Sequence, residues 1–430
     1  MNSHRHPGLV LTDHRFTVPL DHADPDGETI EVFGREVVAA AKAGEDLPWL
    51  LYLEGGPGFG ARRFVGAEAW LGRAVREFRV LLLDQRGTGL STPANRQTLP
   101  VRGGPGEQAD YLAHFRSDGI VRDCELIRPQ LTGGAPWTVL GQSFGGFCAV
   151  RYLSASPEGL ERVLITGGLP SLDAHADDVY RAAYPRIERK VAAHYARYPQ
   201  DVARARAIAT YLAERRPHSG GHHLTSEGFR SLGILLGSGN GSHQLHHILE
   251  NAFVTGPHGA ELSDAFQESM RTATSFAPHP LYAVMHEAIY GQGARPTAWA
   301  AERVRTEFPA FDDATGDGPV MFTGESIHPW HFDVDPALRP LRETAELLAA
   351  RTGWPVLYDV ERLAANEVPV AAAVYHDDMY VDTAHSLRTA ASIRGLRTWV
   401  TSEYEHDGLR AGGPHVLDRL LALVRDECDR

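Results

Sequence analysis

Residues 137–146 read Trp-Thr-Val-Leu-Gly-Gln-Ser-Phe-Gly-Gly, and they decide the fold because an apolar, β-branched run ends there in Gly-x-Ser-x-Gly. A helix-like segment follows from Phe147. In the order strand, sharp turn, helix, the two glycines let the elements pass each other without Cβ clashes. The turn presents the Ser143 hydroxyl at the end of the strand, where the N–H groups of the helix N-terminus also point. The stretch therefore predicts a serine nucleophile.

The rest of the chain alternates between strand and helix patterns. Two runs, 48–53 and 78–83, are apolar on both faces, as buried strands of a parallel sheet are. The alternation predicts an α/β fold: a mostly parallel central sheet, helices on both faces, and function at the carboxyl ends of the strands. Further strands are predicted over 14–22, 28–40, 162–166, 368–375 and 396–401, and helices over 66–77, 110–131 and 416–427.

The pattern changes from about residue 170. Residues 174–215 and 242–310 read as helices with no buried strand between them, and strand character returns only near residue 368. We therefore predict a mainly helical cap over 171–364, inserted into a catalytic domain formed by residues 1–170 and 365–430.

A serine hydroxyl is a poor nucleophile at neutral pH, and it needs a histidine base that an acid orients. For an elbow of this kind the order along the chain is serine, acid, histidine, so the loops after the last two strands should supply both partners. His406 is the only histidine in the loop after the last strand and is the predicted base. For the acid, Asp377 and Asp378 stay equal candidates, and Asp359 and Asp382 are weaker ones.

An oxyanion hole requires two backbone N–H groups beside the serine. One should come from Phe144, and the other from Gly55 or Gly56 in the glycine-rich loop after strand 48–53. That loop also has some likeness to a dinucleotide-binding turn. However, Pro57 lacks an N–H for a phosphate, and no acidic residue ends a following strand at the expected offset. We therefore assign the loop to catalysis.

Three motifs together resemble those of a known family: Gly-Gly-Pro-Gly at 55–58, Asp-Gln-Arg-Gly-Thr-Gly-Leu-Ser at 84–91 and Gly-Gln-Ser-Phe-Gly-Gly at 141–146. They are similar to the motifs of the proline iminopeptidases (prolyl aminopeptidases), which have the α/β-hydrolase fold. The chain length, the large cap and the run Ala-Ala-Ala-Val-Tyr-His-Asp-Asp-Met-Tyr-Val at 371–381 resemble the longer bacterial branch of that family. The resemblance extends through both halves of the sheet domain.

The resemblance implies a role for each residue that matches a family motif. Ser143 is then the nucleophile, His406 the base, and Asp378 the acid, since the Asp-Met pair of the family's loop matches Asp378 and the residue after it. It also implies release of an N-terminal proline from small peptides, with no metal or cofactor. Many members carry histidine where this chain has Glu54, which leaves the contacts of that position open.

An exopeptidase must recognise a free N-terminal amine, and acidic side chains facing the pocket do so by ion pairing. The resemblance implies that glutamates of the cap have this role. The candidates are Glu250 and Glu287, in apolar helical settings where an unpaired carboxylate is costly, and Glu325. Each of them is also a candidate for a structural ion pair. Candidate walls for the proline ring are Phe59, Phe144 and Tyr290.

Composition excludes several partner classes. The 430-residue chain has a formal net charge of −13, which argues against nucleic-acid and anionic-membrane surfaces, and it contains no apolar run long enough to span a membrane. Its three cysteines, Cys124, Cys148 and Cys428, are widely spaced, and no signal-peptide core is visible, so we expect a cytoplasmic protein. Oligomeric state is not predicted.

Histidine pairs occur at 222–223 and 246–247, and His328-x-x-His331 is a third grouping. None has the His-Glu-x-x-His pattern of a metal site, so we predict exposed or capping histidines and no metal.

Two other function classes remain open. An esterase, or an aminopeptidase of different preference, can use the same core, because fold does not fix substrate. A catalytically silent binding protein is the second alternative, and the presence of Ser143, Asp378 and His406 argues against it.

Overall fold

The computed structural model describes residues 2–312 and 318–425. In this part of the chain nine strands form one sheet, and four short strands form two hairpins. The strands are β1 Asn2–His6, β2 Leu9–Pro19, β3 Thr29–Ala39, β4 Trp49–Leu53, β5 Arg79–Asp84, β6 Trp137–Gln142, β7 Leu160–Thr166, β8 His218–Ser219, β9 His222–His223, β10 Phe253–Gly256, β11 Gly259–Leu262, β12 Val370–Tyr375 and β13 Leu396–Thr401.

The sheet has the order β1-β2-β3-β5-β4-β6-β7-β12-β13. The pairs β1–β2, β2–β3 and β3–β5 are antiparallel, and every later neighbour, from β5–β4 to β12–β13, is parallel. The predicted mostly parallel sheet is therefore confirmed, and the loops after β4, β6, β12 and β13 leave it at one edge.

Helices cover the sheet and build the cap. They are α1 Ala69–Ala74, α2 Pro105–Ala113, α3 Ser117–Thr132, α4 Phe144–Ala155, α5 Ala176–Arg197, α6 Asp201–Arg215, α7 Ser226–Arg230, α8 Gly241–Glu250, α9 Asp264–Thr274, α10 Pro280–Met285, α11 Ala300–Arg305, α12 His331–Val334, α13 Arg342–Ala350, α14 Val360–Ala364, α15 Thr383–Ser392, α16 Gly408–Ala411 and α17 Pro414–Arg425. Glu427, where the last helix was predicted to end, and Cys428 lie outside the described residues. Within these, no helix combines the length and the apolar character that crossing a bilayer requires.

Side chains alternate between the two faces of the central strands, as the pleat requires. In β4, Leu51 and Leu53 face a front core with α3 and α4, whereas Leu50 and Tyr52 face a rear core with α1 and α17. A third cluster, the cap core, joins α5 to α9 and α11. Helices therefore cover both faces of the sheet, as predicted.

The segment 171–364 divides between two of these cores. Apolar residues between Ala176 and Phe322 build the cap core, except that α10 and the following turn pack into the front core. Residues from Ile327 to Leu363 also pack into the front core, where α13 lies against α2. By packing, the later part of this segment belongs with the sheet.

Several elements differ from their predicted bounds. The expectation that 242–310 contains only helices was wrong, because β10 and β11 form a hairpin there, with Gly259 in the left-handed region at a φ of 108°. The turn Gly-Pro-His-Gly at 256–259 carries the glycines that a tight hairpin connection uses. The helix predicted over 174–215 is α5 and α6, separated at Pro199, and the edge strand β1 was not predicted.

Candidate active site

Ser143 occupies the turn between β6 and α4 with φ 54° and ψ −122°, a strained conformation for a residue with a side chain. The close approach of the two elements explains the flanking glycines. A Cβ on Gly145 would lie 2.0 Å from the carbonyl oxygen of Leu53, and one on Gly141 would lie 2.3 Å from that of Gly145. The elbow therefore has the predicted strand–turn–helix form, with the serine at the carboxyl end of β6.

His406 and Asp378 lie in the loops after β13 and β12, which are parallel neighbours. His406 Nδ1 donates a hydrogen bond to Asp378 Oδ2 at 2.7 Å, and both residues are buried. The other oxygen of Asp378 accepts the N–H groups of Tyr380 at 2.8 Å and Val381 at 3.1 Å. These bonds hold the carboxylate against the ring and place the ring proton on Nδ1, so that Nε2 is left as an acceptor.

The other candidate acids are engaged elsewhere. Asp377 is exposed and pairs with its neighbour His376 at 3.1 Å. Asp359 caps α14, and Asp382 caps α15. The structure thus separates the two adjacent aspartates, which spacing along the chain could not do.

The free nitrogen of His406 faces the elbow. The side-chain amide of Gln142, the residue before the serine, donates to His406 Nε2 at 3.5 Å. Ser143, His406 and Gln142 line the same cavity. The base also contacts the cap, because the backbone N–H of His406 donates to the backbone carbonyl of Gly237 at 3.1 Å.

The candidate oxyanion donors differ in availability. Phe144 begins α4, so its N–H has no carbonyl partner one turn earlier within the helix. Gly55 N–H donates to its neighbour Glu54 Oε1 at 3.2 Å. Gly56 lines the cavity beside Ser143, and of the two glycines it is the one whose N–H is not directed at that carboxylate. Phe144 and Gly56 are therefore the better-placed pair.

A cavity of about 510 Å³ lies over Ser143, walled by loops of the sheet edge and by residues of the cap. Of the three predicted ring walls, Phe59 lines it, whereas Phe144 and Tyr290 do not. Aromatic side chains that were not predicted also line it, four from the segment 171–364 and one from the loop after β12. They are Phe276, His279, Tyr282, His331 and Tyr380.

Glu325 lines this cavity, and Tyr282 O–H donates to its Oε1 at 2.7 Å. Among the described residues, the hydrogen bonds to this carboxylate involve Oε1 alone. Burial raises the pKa of Glu325, while the nearby His406 and the Tyr282 hydroxyl act in the opposite direction. Oε2 thus remains available to a cationic group in the cavity.

The other two candidate glutamates lie elsewhere, and their predicted place in the pocket was wrong. Glu287 caps α11: its two oxygens accept the N–H groups of Ala300 and Ala301, each at 2.9 Å. Burial raises the pKa of Glu287 to about 7, against the effect of these bonds. Glu250 ends α8 and pairs with His247 at 2.8 Å. Neither side chain lines the cavity, because tertiary packing gives each a local partner.

The charge environment of His406 sets its basicity. Burial by itself would lower the pKa of His406, but the carboxylates of Asp378 and Glu325 outweigh it, and the pKa lies above the ordinary value of 6.5. A base of this kind accepts a proton readily in the transition state and is neutral only above its raised pKa.

Of the six grouped histidines, His222, His246, His328 and His331 are buried, whereas His223 and His247 are exposed. His328 and His331 are almost fully buried, and His246 is held by the buried Asp201 at 2.9 Å. In the described ranges, the one group of side chains able to share a metal ion is His246, His247 and Glu250, in the cap and outside the cavity.

Glu54 is the functional candidate whose contacts the sequence left open. It lines the cavity next to the glycine loop, and its oxygens accept the Tyr52 hydroxyl at 3.0 Å and the Arg62 N–H at 3.2 Å, besides the Gly55 N–H. In the sequence, its position directly before the glycines was the feature that could have indicated a place beside the oxyanion hole. The arrangement braces the loop that carries Gly56.

Comparisons with known proteins agree with this geometry. A family model described as alpha/beta hydrolase fold matches residues 48–241, which confirms the predicted fold. A proline iminopeptidase from Aeromonas sobria is 48% identical over 423 residues, which cover 97% of this chain and 97% of that protein. The proline iminopeptidase aneH from Aspergillus aculeatus is 35% identical over 443 residues, 99% of this chain and 96% of that protein. Both similarities include the cap as well as the sheet.

Proposed function

This chain belongs to the proline iminopeptidase family of α/β-hydrolases, and we propose that it is a serine aminopeptidase that releases proline from the N-terminus of small peptides. The observation that carries the proposal is the placement of Glu325. Its carboxylate keeps one oxygen unengaged in the cavity that also holds Ser143 and the His406–Asp378 pair. Nucleophile, base and a receptor for a cationic amine thus share one space.

In the proposed acylation step, the Ser143 hydroxyl attacks the carbonyl carbon of the N-terminal proline, and His406 Nε2 accepts its proton. Asp378 keeps the ring oriented and stabilises the imidazolium that forms. The tetrahedral oxyanion is bound by the N–H groups of Phe144 and Gly56. Each such donor typically contributes about 3 kcal/mol of transition-state stabilisation.

Collapse of this intermediate breaks the peptide bond. His406 gives its proton to the leaving amine, and the shortened peptide departs while proline stays esterified to Ser143. Water then attacks the ester with His406 as base, and proline is released with the serine restored.

Glu325 would bind the positively charged secondary amine of proline. A carboxylate and an ammonium group attract strongly in a cavity that excludes most water. Tyr282 donates to Oε1, and Glu325 lines the cavity, so the substrate amine would complete the hydrogen bonding of the carboxylate through Oε2. The aromatic rings of Phe59 and Tyr282, 5.3 Å apart, offer an apolar surface for the pyrrolidine ring.

Two further proposals concern organisation and compartment. The cap proper comprises residues 176–312 and 318–322, apart from α10 and the turn after it, because their apolar side chains build a core separate from the sheet. A reducing cytoplasm is the proposed compartment, since Cys124 and Cys148 are both free buried thiols.

A matched substrate panel tests the function. Pro-arylamide, Ala-arylamide, N-acetyl-Pro-arylamide and a neutral aryl ester are compared with the wild type and with Ser143→Ala. We expect selective cleavage of the free Pro-arylamide, lost in the variant. Cleavage of the ester alone would instead establish an esterase on this scaffold. A silent binding protein would be indicated if none of the four compounds were cleaved and a serine reagent did not label Ser143.

A further inference from the structure

The cavity has a second side that the proline-binding proposal does not use. The side that carries Glu325, which we call the Glu325 side, is built by rings such as Phe59 and His279, whose centroids are 4.2 Å apart. On the second side of the cavity Trp70 packs against Tyr52 at 4.5 Å and against Phe64 at 5.7 Å, and these residues belong to the rear core. We call this side the rear lobe. It is formed by Tyr52, Arg62, Phe64, Trp70, Leu409 and Arg410.

The carboxylates of the two sides differ in whether an oxygen is free to accept a hydrogen bond from a substrate. This difference indicates which end of a bound peptide lies on which side. In the rear lobe, both oxygens of Glu54 already accept hydrogen bonds from the protein. On the Glu325 side, Oε2 of Glu325 accepts no hydrogen bond from the described residues. The free amine therefore belongs on the Glu325 side. Because the proline ring and the leaving amine are bonded to different sides of the reacting carbonyl carbon, the leaving peptide would extend into the other part of the cavity lining, the rear lobe.

The rear lobe combines an apolar floor with two cations. Its apolar rings and Leu409 are almost fully buried, whereas the side chains of Arg62 and Arg410 are 50% and 67% exposed. Among the described residues, each arginine has a carboxylate at the long end of the ion-pair range, Glu68 at 3.7 Å for Arg62 and Asp407 at 3.8 Å for Arg410. Glu54 also interacts with Arg410 through its charge. Both guanidinium groups thus keep donors for another anion at the mouth of the cavity.

We propose that the rear lobe is the subsite for the residue after proline, and that Arg62 and Arg410 bind its C-terminal carboxylate when that residue is the last. This inference rests on the proposed aminopeptidase function and names its preferred substrate class: dipeptides of proline followed by an apolar or aromatic residue. Guanidinium groups match a carboxylate in charge and in planar geometry. The side chain of the second residue would lie on Trp70 and Phe64.

The expected preference is moderate. Exposed ion pairs typically change affinity by about two- to fivefold each, so two arginines together should give about tenfold. Three acidic groups also face this region, namely Glu54, Glu68 and Asp407, and they reduce the attraction.

The test compares kcat/KM for Pro-Phe and for Pro-Phe-amide, which differ only in the terminal charge. The proteins are the wild type, the double variant Arg62→Met/Arg410→Met, and Arg388→Met, an exposed arginine of α15 that does not line the cavity. We expect the wild type to prefer Pro-Phe by about tenfold, chiefly through KM. The ratio should approach one in the double variant and stay unchanged in Arg388→Met. The preference for Pro-Phe over Pro-Gly should persist in the double variant, because the apolar floor is intact.

The assignment of the rear lobe would be overturned if the wild type hydrolysed Pro-Phe and Pro-Phe-amide with equal kcat/KM. It would also be overturned if the double variant kept the wild-type preference for Pro-Phe. If Pro-arylamide is still hydrolysed in that case, the aminopeptidase function stands and only the subsite is wrong. Failure of the wild type to hydrolyse any proline compound would overturn both.

Discussion

Glu287 and Glu325 lie in two regions where a carboxylate is withdrawn from bulk water, and burial raises the pKa of both. At the start of α11, Glu287 is saturated, since each of its oxygens accepts a backbone N–H. At the cavity wall, the described residues hold Glu325 through one oxygen only. A saturated carboxylate stabilises the fold, whereas one with spare capacity beside a cavity is able to receive a cation from a substrate.

The largest effect should come from the catalytic residues, on which both substrate classes depend. Asp378→Asn removes the acceptor that fixes the His406 tautomer, so kcat should fall by about 10⁴-fold for an arylamide and strongly for an aryl ester. Steady-state kinetics with both substrates measures this. Loss for one substrate alone would show that the two reactions use different machinery, and near-normal rates for both would refute the assigned acid.

The next effect is specific to the cavity wall. Glu325→Gln keeps the shape of the side chain and removes its charge. For Pro-arylamide kcat/KM should fall by about 100-fold, because the substrate cation loses its partner in a shielded site. Hydrolysis of a neutral aryl ester should change little by comparison. An equal loss on both substrates would mean that Glu325 supports the fold or the base and does not recognise the amine.

A smaller effect, on stability, is expected at the saturated glutamate. Glu287→Gln replaces one acceptor by an amide that cannot accept from the α11 backbone, and the free energy of unfolding should fall by about 1–3 kcal/mol. Denaturant unfolding measures it, and Glu250→Gln, which removes a surface partner of His247, serves as the control with no measurable change. Unaltered stability of the Glu287 variant would show that the capping bonds contribute little.

The smallest effect is a displaced pH profile. His406 acts as a base only when neutral, so kcat/KM should rise with pH through its raised pKa, above the ordinary 6.5. Glu325→Gln removes a negative charge that favours the imidazolium, so the pKa of His406 falls and the rising limb moves to lower pH. The shift is measured as kcat/KM for the aryl ester from pH 5 to pH 9 with both proteins. This range brackets the ordinary pKa of histidine. A shift to higher pH would contradict the sign.

Sequence alone predicted the functional residues at the edge of the sheet much better than those in the segment 171–364. Ser143 and His406 follow predicted strands, and the carboxyl ends of parallel strands meet at one edge, so local pattern and topology together located them. Asp378 could not be separated from Asp377 by spacing, because the choice depends on which side chain is buried against the ring. The resemblance to a family motif made that choice, and the 2.7 Å hydrogen bond agrees with it.

In the segment 171–364, function depends on contacts between residues far apart in the chain. Glu250 and Glu287 have apolar neighbours in sequence, but His247 and the start of α11 engage them. Nothing local distinguishes a helix-capping carboxylate from one that faces a cavity. Glu325 lies in no regular helix or strand, and only the fold brings it to Tyr282, 43 positions away.

The most direct test of the account is a double-mutant cycle between Glu325 and the substrate amine. Pro-arylamide is compared with cyclopentanecarbonyl-arylamide, which has the same ring without the charged nitrogen, in the wild type, in Glu325→Gln and in Glu287→Gln. The account predicts that the wild type favours the proline compound, that this preference falls by about 100-fold in Glu325→Gln, and that it is unchanged in Glu287→Gln. An unchanged preference in Glu325→Gln, or an equal fall in both variants, would contradict the claim that the cavity carboxylate recognises the amine.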